Sequence, residues 1–125
     1  MLSIVPFLGL AIYSCQPRVN NNISSNIQAH IDLANSFLGK NEPRRSLKKL
    51  LPIKDKARGI PKYHFTLGLT YLQMQKVDKS ILHFQKAVEL KPDNGKAWNN
   101  LGRAYIAKGK SDKAKHAYKK ALEIE

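Results

Sequence analysis

The chain repeats itself at a spacing of 34 residues. Laid over one another, residues 61–94 and 95–125 place Leu67 on Leu101, Gly68 on Gly102 and Tyr71 on Tyr105. Further along, Phe84 falls on Tyr118 and Ala87 on Ala121. A period of this length marks one supersecondary unit that recurs and stacks on its neighbour. Each unit reads as two antiparallel helices. Small Gly68 and Gly102 let the first helix approach the second, Ala87 and Ala121 do the same from the other side, and Leu, Tyr and Phe fill the space between. Asp78 and Ser111 are the expected N-caps of the second helices. Pro92 ends one helix, and Asp93 or Asn94 starts the next.

In the last unit Trp98, Leu101, Gly102, Tyr105, Gly109, Ala114, Tyr118 and Ala121 match the pattern W-x2-L-G-x2-Y, A-x3-F of the tetratricopeptide repeat (TPR), and Pro92 supplies the closing proline of the unit before it. The chain therefore resembles the TPR family. The resemblance implies an all-α fold, a TPR α-solenoid of about two and a half to three helix-turn-helix repeats. A degenerate unit lies upstream, over 27–60. Stepping back 34 residues places Leu33, Ala34 and Phe37 on the Leu, Gly and Tyr positions. Pro43 opens its second helix, RRSLKKLL, and Pro52 closes it early. Ser46 and Leu50 stand where the alanine and aromatic residue belong, and PIKDKARGIPK follows as an irregular basic loop.

Charge adds a second constraint. The chain carries 22 Lys and Arg against 9 Asp and Glu, a net of +13. Residues 41–62 hold a net of +6, and 95–125 a net of +5. A surface of this kind favours anionic partners, or is simply a solvated Lys-rich helical face. The basic patch comprises Arg44, Arg45, Lys48, Lys49, Lys54, Lys56 and Arg58.

No catalytic constellation stands out, and enzymatic activity is not expected. His30 and His64 occupy the repeat position of Trp98, so packing explains them most simply. None of the four histidines has HExxH spacing, and there is no CxxC pair, so no metal or other cofactor is expected. TPR units instead imply a scaffold whose first helices line a concave groove for an extended peptide or a helix. The groove-facing positions hold Gln28, Ile31, Asn35 and Leu38, then Lys62, Phe65, Leu69 and Leu72, then Lys96, Asn99, Arg103 and Ile106. The candidate partner-binding residues are Lys62, Phe65, Leu69, Leu72, Lys96, Asn99 and Arg103. They suit a segment with an apolar anchor and acidic flanks, or a free C-terminal carboxylate. The alternative is that some of them pack on a neighbouring helix. In one TPR class five positions clamp a C-terminal carboxylate. Here they hold Ile31, Asn35, Thr66, Lys96 and Asn100, of which only Asn35 and Lys96 suit the task, so a clamp of that type is not expected.

Ahead of the repeats stands MLSIVPFLGLAIYSCQ, with no charge from Leu2 to Ser14. A run of ~13 apolar residues is too short for a span of ~20, but has the length of a signal h-region. Ile12-Tyr13-Ser14-Cys15 resembles the lipobox of bacterial lipoproteins, which implies lipidation of Cys15 and removal of 1–14. An ordinary cleaved signal, or an apolar segment packed on the domain, are the alternatives. Residues 15–26 then read as a lipidated cysteine and polar tether. Gln16 in place of an inner-membrane retention Asp favours the outer membrane, facing the periplasm.

Lipobox, tether and TPR units together resemble bacterial TPR lipoproteins of the type IV pilus and secretion pilotin kind. The resemblance implies an adaptor that docks another protein and meets the membrane through its lipid anchor. Homodimerisation through the C-terminal edge is a further expectation. Nucleic acid is disfavoured as a partner. The competing reading is a basic TPR module that binds an anionic polymer, lipid or RNA, as a cytoplasmic protein in the last case.

Overall fold

The computed structural model describes residues 17–124. Among the described residues six α-helices fold as three antiparallel pairs: α1 (Pro17–Gly39) with α2 (Pro43–Leu50), α3 (Pro61–Gln73) with α4 (Val77–Leu90), and α5 (Gly95–Lys108) with α6 (Ser111–Ile124). A 3-10 turn, Leu51–Ile53, follows α2. Successive pairs stack, α3 on α1 and α2, then α5 on α3 and α4. The fold is all-α and TPR-like, with three repeats.

The period is written into the backbone as well as the side chains. Asn41, Gln75 and Gly109 lie 34 residues apart, and all three have positive φ, at 59°, 61° and 81°. The residue after each donates its N–H back five positions. Glu42 bonds to the Phe37 carbonyl, Lys76 to that of Tyr71 and Lys110 to that of Tyr105, each at 2.8 Å. These are Schellman turns, in which a left-handed residue lets the chain satisfy the last carbonyls of a helix. The first unit, degenerate in sequence, has the same turn as the others.

Interior positions repeat in the same way. Ser46, Ser80 and Ala114 occupy one small-residue position and are all fully buried. Leu50 and Phe84 occupy the large position four residues on and are also fully buried. Ser46 and Leu50 therefore fill the places of the missing alanine and aromatic residue. Their surroundings form a first core with Ile27, Ile31, Ala34, Tyr63, Leu67 and Tyr71. A second core gathers Phe84, Val88, Ala97, Leu101, Ala104, Tyr105 and Ala114. Asn94 caps α5 by accepting the Ala97 N–H at 3.3 Å.

Three expectations change. The stretch 17–26 is helical, not a tether, because α1 begins at Pro17. Proline at the first helical turn lacks only an N–H that has no helical partner there, and the buried series Ile27, Ile31, Ala34 and Phe37 anchors the helix downstream. Asp78 and Ser111 are not N-caps, since they lie inside α4 and α6. Asp78 instead sits in the first turn, where its charge suits the helix dipole, and pairs with Lys108 at 2.9 Å. The basic loop is pinned to the fold, because Ile53 and Ala57 are buried in the first core. Cys15 and the apolar run before it lie outside the described residues.

Candidate partner-binding groove

The candidate groove residues divide into two groups. Phe65, Leu69 and Leu72 on α3 are half-buried and pack against the second core. The Phe65 ring lies 5.9 Å from that of Phe84, centroid to centroid, tilted by 59°. These three positions do packing work between α3 and the next repeat. Ile31 and Leu38 are buried outright, so α1 does not offer them to a partner. Helical spacing alone cannot tell a groove position from a neighbour-facing one when both are apolar.

Lys96 and Asn99 on α5 are exposed, and the structure brings them together. They line a cavity of about 550 Å³ with Gly95, Tyr118, Ala121 and Leu122. Tyr118, Ala121 and Leu122 lie on α6, outside the groove-facing positions of the first helices. The signal that finds them is the 34-residue period itself. One repeat earlier the same six positions hold Pro61, Lys62, Phe65, Phe84, Ala87 and Val88. There α5 lies on them, with Ala97, Leu101 and Ala104 against Phe84 and Val88. Val88 is 6% exposed, whereas its counterpart Leu122 is 74% exposed. The cavity is thus a helix-shaped seat formed by the repeat geometry.

The other cations are partly engaged. Lys62 meets Asp32 of α1 at 3.2 Å, so it is not an unpaired groove cation. Asp32 is held below the usual carboxylate range by hydrogen bonds from Gln28 and then Lys62. Arg103 is exposed and donates to the Asn100 side-chain oxygen Oδ1 at 3.1 Å. Of the five carboxylate-clamp positions, four are occupied internally, and Lys96 alone is exposed. Ile31 is buried, Thr66 donates to Asn35 at 3.3 Å, and Asn100 donates to the Lys96 carbonyl at 2.9 Å.

In the basic patch Arg45 pairs with Glu42 at 2.6 Å and sits 4.3 Å over the Phe37 ring. Arg58 meets Asp55 at 3.4 Å. Lys49 is half-buried, and its backbone carbonyl accepts from His30 Nδ1 at 3.1 Å. Arg44, Lys48, Lys54 and Lys56 are exposed and carry no ion pair among the described residues. Among those residues no group of three or more metal-ligating side chains converges, and no helix is long and apolar enough to cross a membrane.

Two tetratricopeptide repeat families match the chain, one over residues 61–94 and one over 83–116. The chain is a TPR repeat protein. The second match starts on α4 and ends on α6, so the repeat unit is recognised across the junction of two pairs. TPR domain-containing protein PYG7, chloroplastic, of Arabidopsis thaliana is 43% identical over 56 residues, which cover 45% of this chain and 19% of that protein. Human protein O-mannosyl-transferase TMTC1 is 32% identical over 80 residues, 63% of this chain and 9% of that one. The TPR chain thus spans less than a fifth of these curated relatives.

Among solved structures, the crystal structure of MamA matches with a TM-score of 0.71 at 28% identity, over 78% of this chain and 57% of that one. The second TPR of Spaghetti (RPAP3), bound to the HSP90 peptide SRMEEVD, matches with a TM-score of 0.76 at 19% identity, over 83% and 98%. The likeness to the second TPR of Spaghetti is one of fold. Stacked TPR helices as a class offer extended concave surfaces to partner segments.

Proposed function

We propose that this TPR module docks a helix or extended segment on the seat formed by Lys96, Asn99, Tyr118 and Leu122. The observation that carries this reading is the exposure of Leu122 at a position that α5 covers one repeat earlier. A fitting partner presents small and aliphatic residues in the pattern of Ala97, Leu101 and Ala104, with acidic residues facing Lys96 and Arg103. The solved TPR complex with an HSP90 peptide supports the segment-binding mode in general. Four of the five clamp positions here are taken up internally, so recognition rests on the apolar seat with Lys96 at its rim.

The lipobox-like Ile12-Tyr13-Ser14-Cys15 supports the further reading that the module is a bacterial envelope lipoprotein, anchored through Cys15 at the outer membrane, with pilotin-like adaptor work. Arg44, Lys48, Lys54 and Lys56, exposed without ion pairs, support the competing reading of an anionic polymer, lipid or RNA as ligand. One experiment separates the two. Proteins crosslinked to the chain in its host are compared for wild type, Lys96→Glu/Leu122→Asp and Arg44→Glu/Lys48→Glu. Loss of the crosslinked partner only in the first variant supports the seat. Loss only in the second transfers the function to the basic patch. Lipid labelling that survives Cys15→Ser removes the anchor.

A further inference from the structure

The second repeat carries a cleft that departs from the repeat pattern. The cleft between the paired helices recurs. In the third repeat it is lined by Trp98, Leu101, Tyr105, Asp112, Lys113, His116 and Ala117. In the second repeat the equivalent positions are His64, Leu67, Tyr71, Asp78, Lys79, Leu82 and His83, with Asp78 paired to Lys108. Two imidazoles thus replace an indole and a methyl group. The basic loop then roofs the cleft with Leu51, Lys54 and Arg58, enclosing about 300 Å³. This roof exists because α2 stops at Leu50 and the chain continues as a loop anchored by Ile53 and Ala57.

Hydrogen bonding sets the state of both imidazoles. His64 Nε2 lies 2.7 Å from the Arg58 carbonyl oxygen, which can only accept, so His64 Nε2 carries the proton. Its Nδ1 is then a lone pair, 3.2 Å from His83 Nδ1. His83 Nδ1–H must donate to it. In a neutral ring that leaves His83 Nε2 as an acceptor, ready to take a proton without breaking the existing bond. The Tyr71 and His64 rings run nearly parallel to the His83 ring, at 21° and 18°, each with centroids 5.5 Å away. Packing does not demand this arrangement, since the third repeat uses Trp98 and Ala117 at the same places. Local departures of this kind concentrate at functional sites.

The surroundings are cationic. Lys54 and Arg58 come from the loop, and Lys79 and Lys86 from α4. The acidic neighbours Asp55 and Glu89 already pair with Arg58 and Lys86. We propose that this cleft binds a small carboxylate with a flat apolar body, seated against Leu51, Leu67 and Leu82, its carboxylate held by Lys54, Arg58 and the protonated ring edge of His83. The cation-rich rim selects an anion, the leucines select an apolar body, and a cleft of about 300 Å³ has room for a ligand the size of a naphthoate. Burial, then His64, Lys54 and Lys79, push the His83 imidazole down to about 4, so the empty site is neutral at its ring. A bound carboxylate favours the charged ring, so the complex holds one more proton than the free protein, and binding tightens as pH falls.

The test is a titration of the full 15N-labelled chain with 2-naphthoate, read on the histidine ring nitrogens at pH 7.5 and 5.5. The expected result is movement of the His83 Nε2 signal to the protonated position and affinity rising by about threefold or more per pH unit, below the tenfold limit for one proton. The uncharged 2-naphthamide and inorganic phosphate alone are expected to bind at least about tenfold more weakly, a difference of about 1.4 kcal/mol. Lys54→Gln/Arg58→Gln changes only exposed side chains, so a loss of affinity with unchanged circular dichroism supports the site, even if His83→Phe does not fold. Equal binding of the amide, equal binding of phosphate, or pH-independent binding of naphthoate overturns the proposal. So does retention of wild-type affinity in Lys54→Gln/Arg58→Gln.

Discussion

Gly68 lies directly under the ring of Phe84: a Cβ built at Gly68 would sit 2.6 Å from Phe84 Cδ1 and Cε1. Gly102 stands in the same relation to Tyr118, at 2.7 Å. The first repeat solves the same contact differently, with Ala34 and Leu50 at the equivalent positions, both fully buried. An aromatic residue on the second helix therefore requires glycine on the first, and an aliphatic residue permits alanine.

This pairing predicts a specific rescue. Gly68→Ala overpacks the contact and is expected to lower stability by about 1–3 kcal/mol. Gly68→Ala/Phe84→Leu reproduces the first-repeat solution and is expected to lose less than the sum of the two single changes. Urea denaturation of the four proteins closes the double-mutant cycle. Additive losses would show that the two positions are not coupled.

The left-handed turns predict opposite signs at equivalent places. Gln75 holds φ 61° with a side chain that disfavours it, whereas Gly109 holds φ 81° without one. Gln75→Gly is expected to raise stability by about 1 kcal/mol, and Gly109→Ala to lower it by about 1 kcal/mol. Thermal melts of both variants check the signs.

Ser46 and Thr70 form a polar pair inside the first core. Thr70 Oγ1 donates to the Thr66 carbonyl at 2.8 Å, so the Ser46 hydroxyl donates to Thr70, also at 2.8 Å. Thr70→Ala strands a buried hydroxyl and is expected to cost about 1–3 kcal/mol. Ser46→Ala/Thr70→Ala removes both hydroxyls and is expected to recover part of that loss. Chemical denaturation of single and double variants provides the comparison.

Burial lowers the pKa of both His64 and His83, the latter to about 4. Between the ordinary histidine value and about 4 the unfolded chain binds more protons than the folded one. Stability therefore falls as pH falls through that window. His83→Ala, the third-repeat residue, is expected to flatten this dependence between pH 6.5 and 4.5. Melting temperatures across that interval measure the slope, and an unchanged slope would mean that other groups carry it.

The 34-residue period, the three-pair architecture, the Gly–aromatic contacts and the Asn94 cap could all be read from residue order. Each depends on residues close in sequence or on a repeat that copies itself. Other features needed the tertiary structure. Pro17 starts α1 through an Asn- and Ser-rich run of low helix propensity, which local reading takes for a tether. Ile31, Leu38 and Phe65 look alike by helical spacing, and only the neighbouring repeat decides which are buried. The seat at Leu122 and the roofed histidine cleft join segments separated by 19 residues or more, such as His64 and His83. Local sequence sets which helices form and where they turn. Which faces remain open is settled by what packs across them, and that is a property of contacts between distant residues.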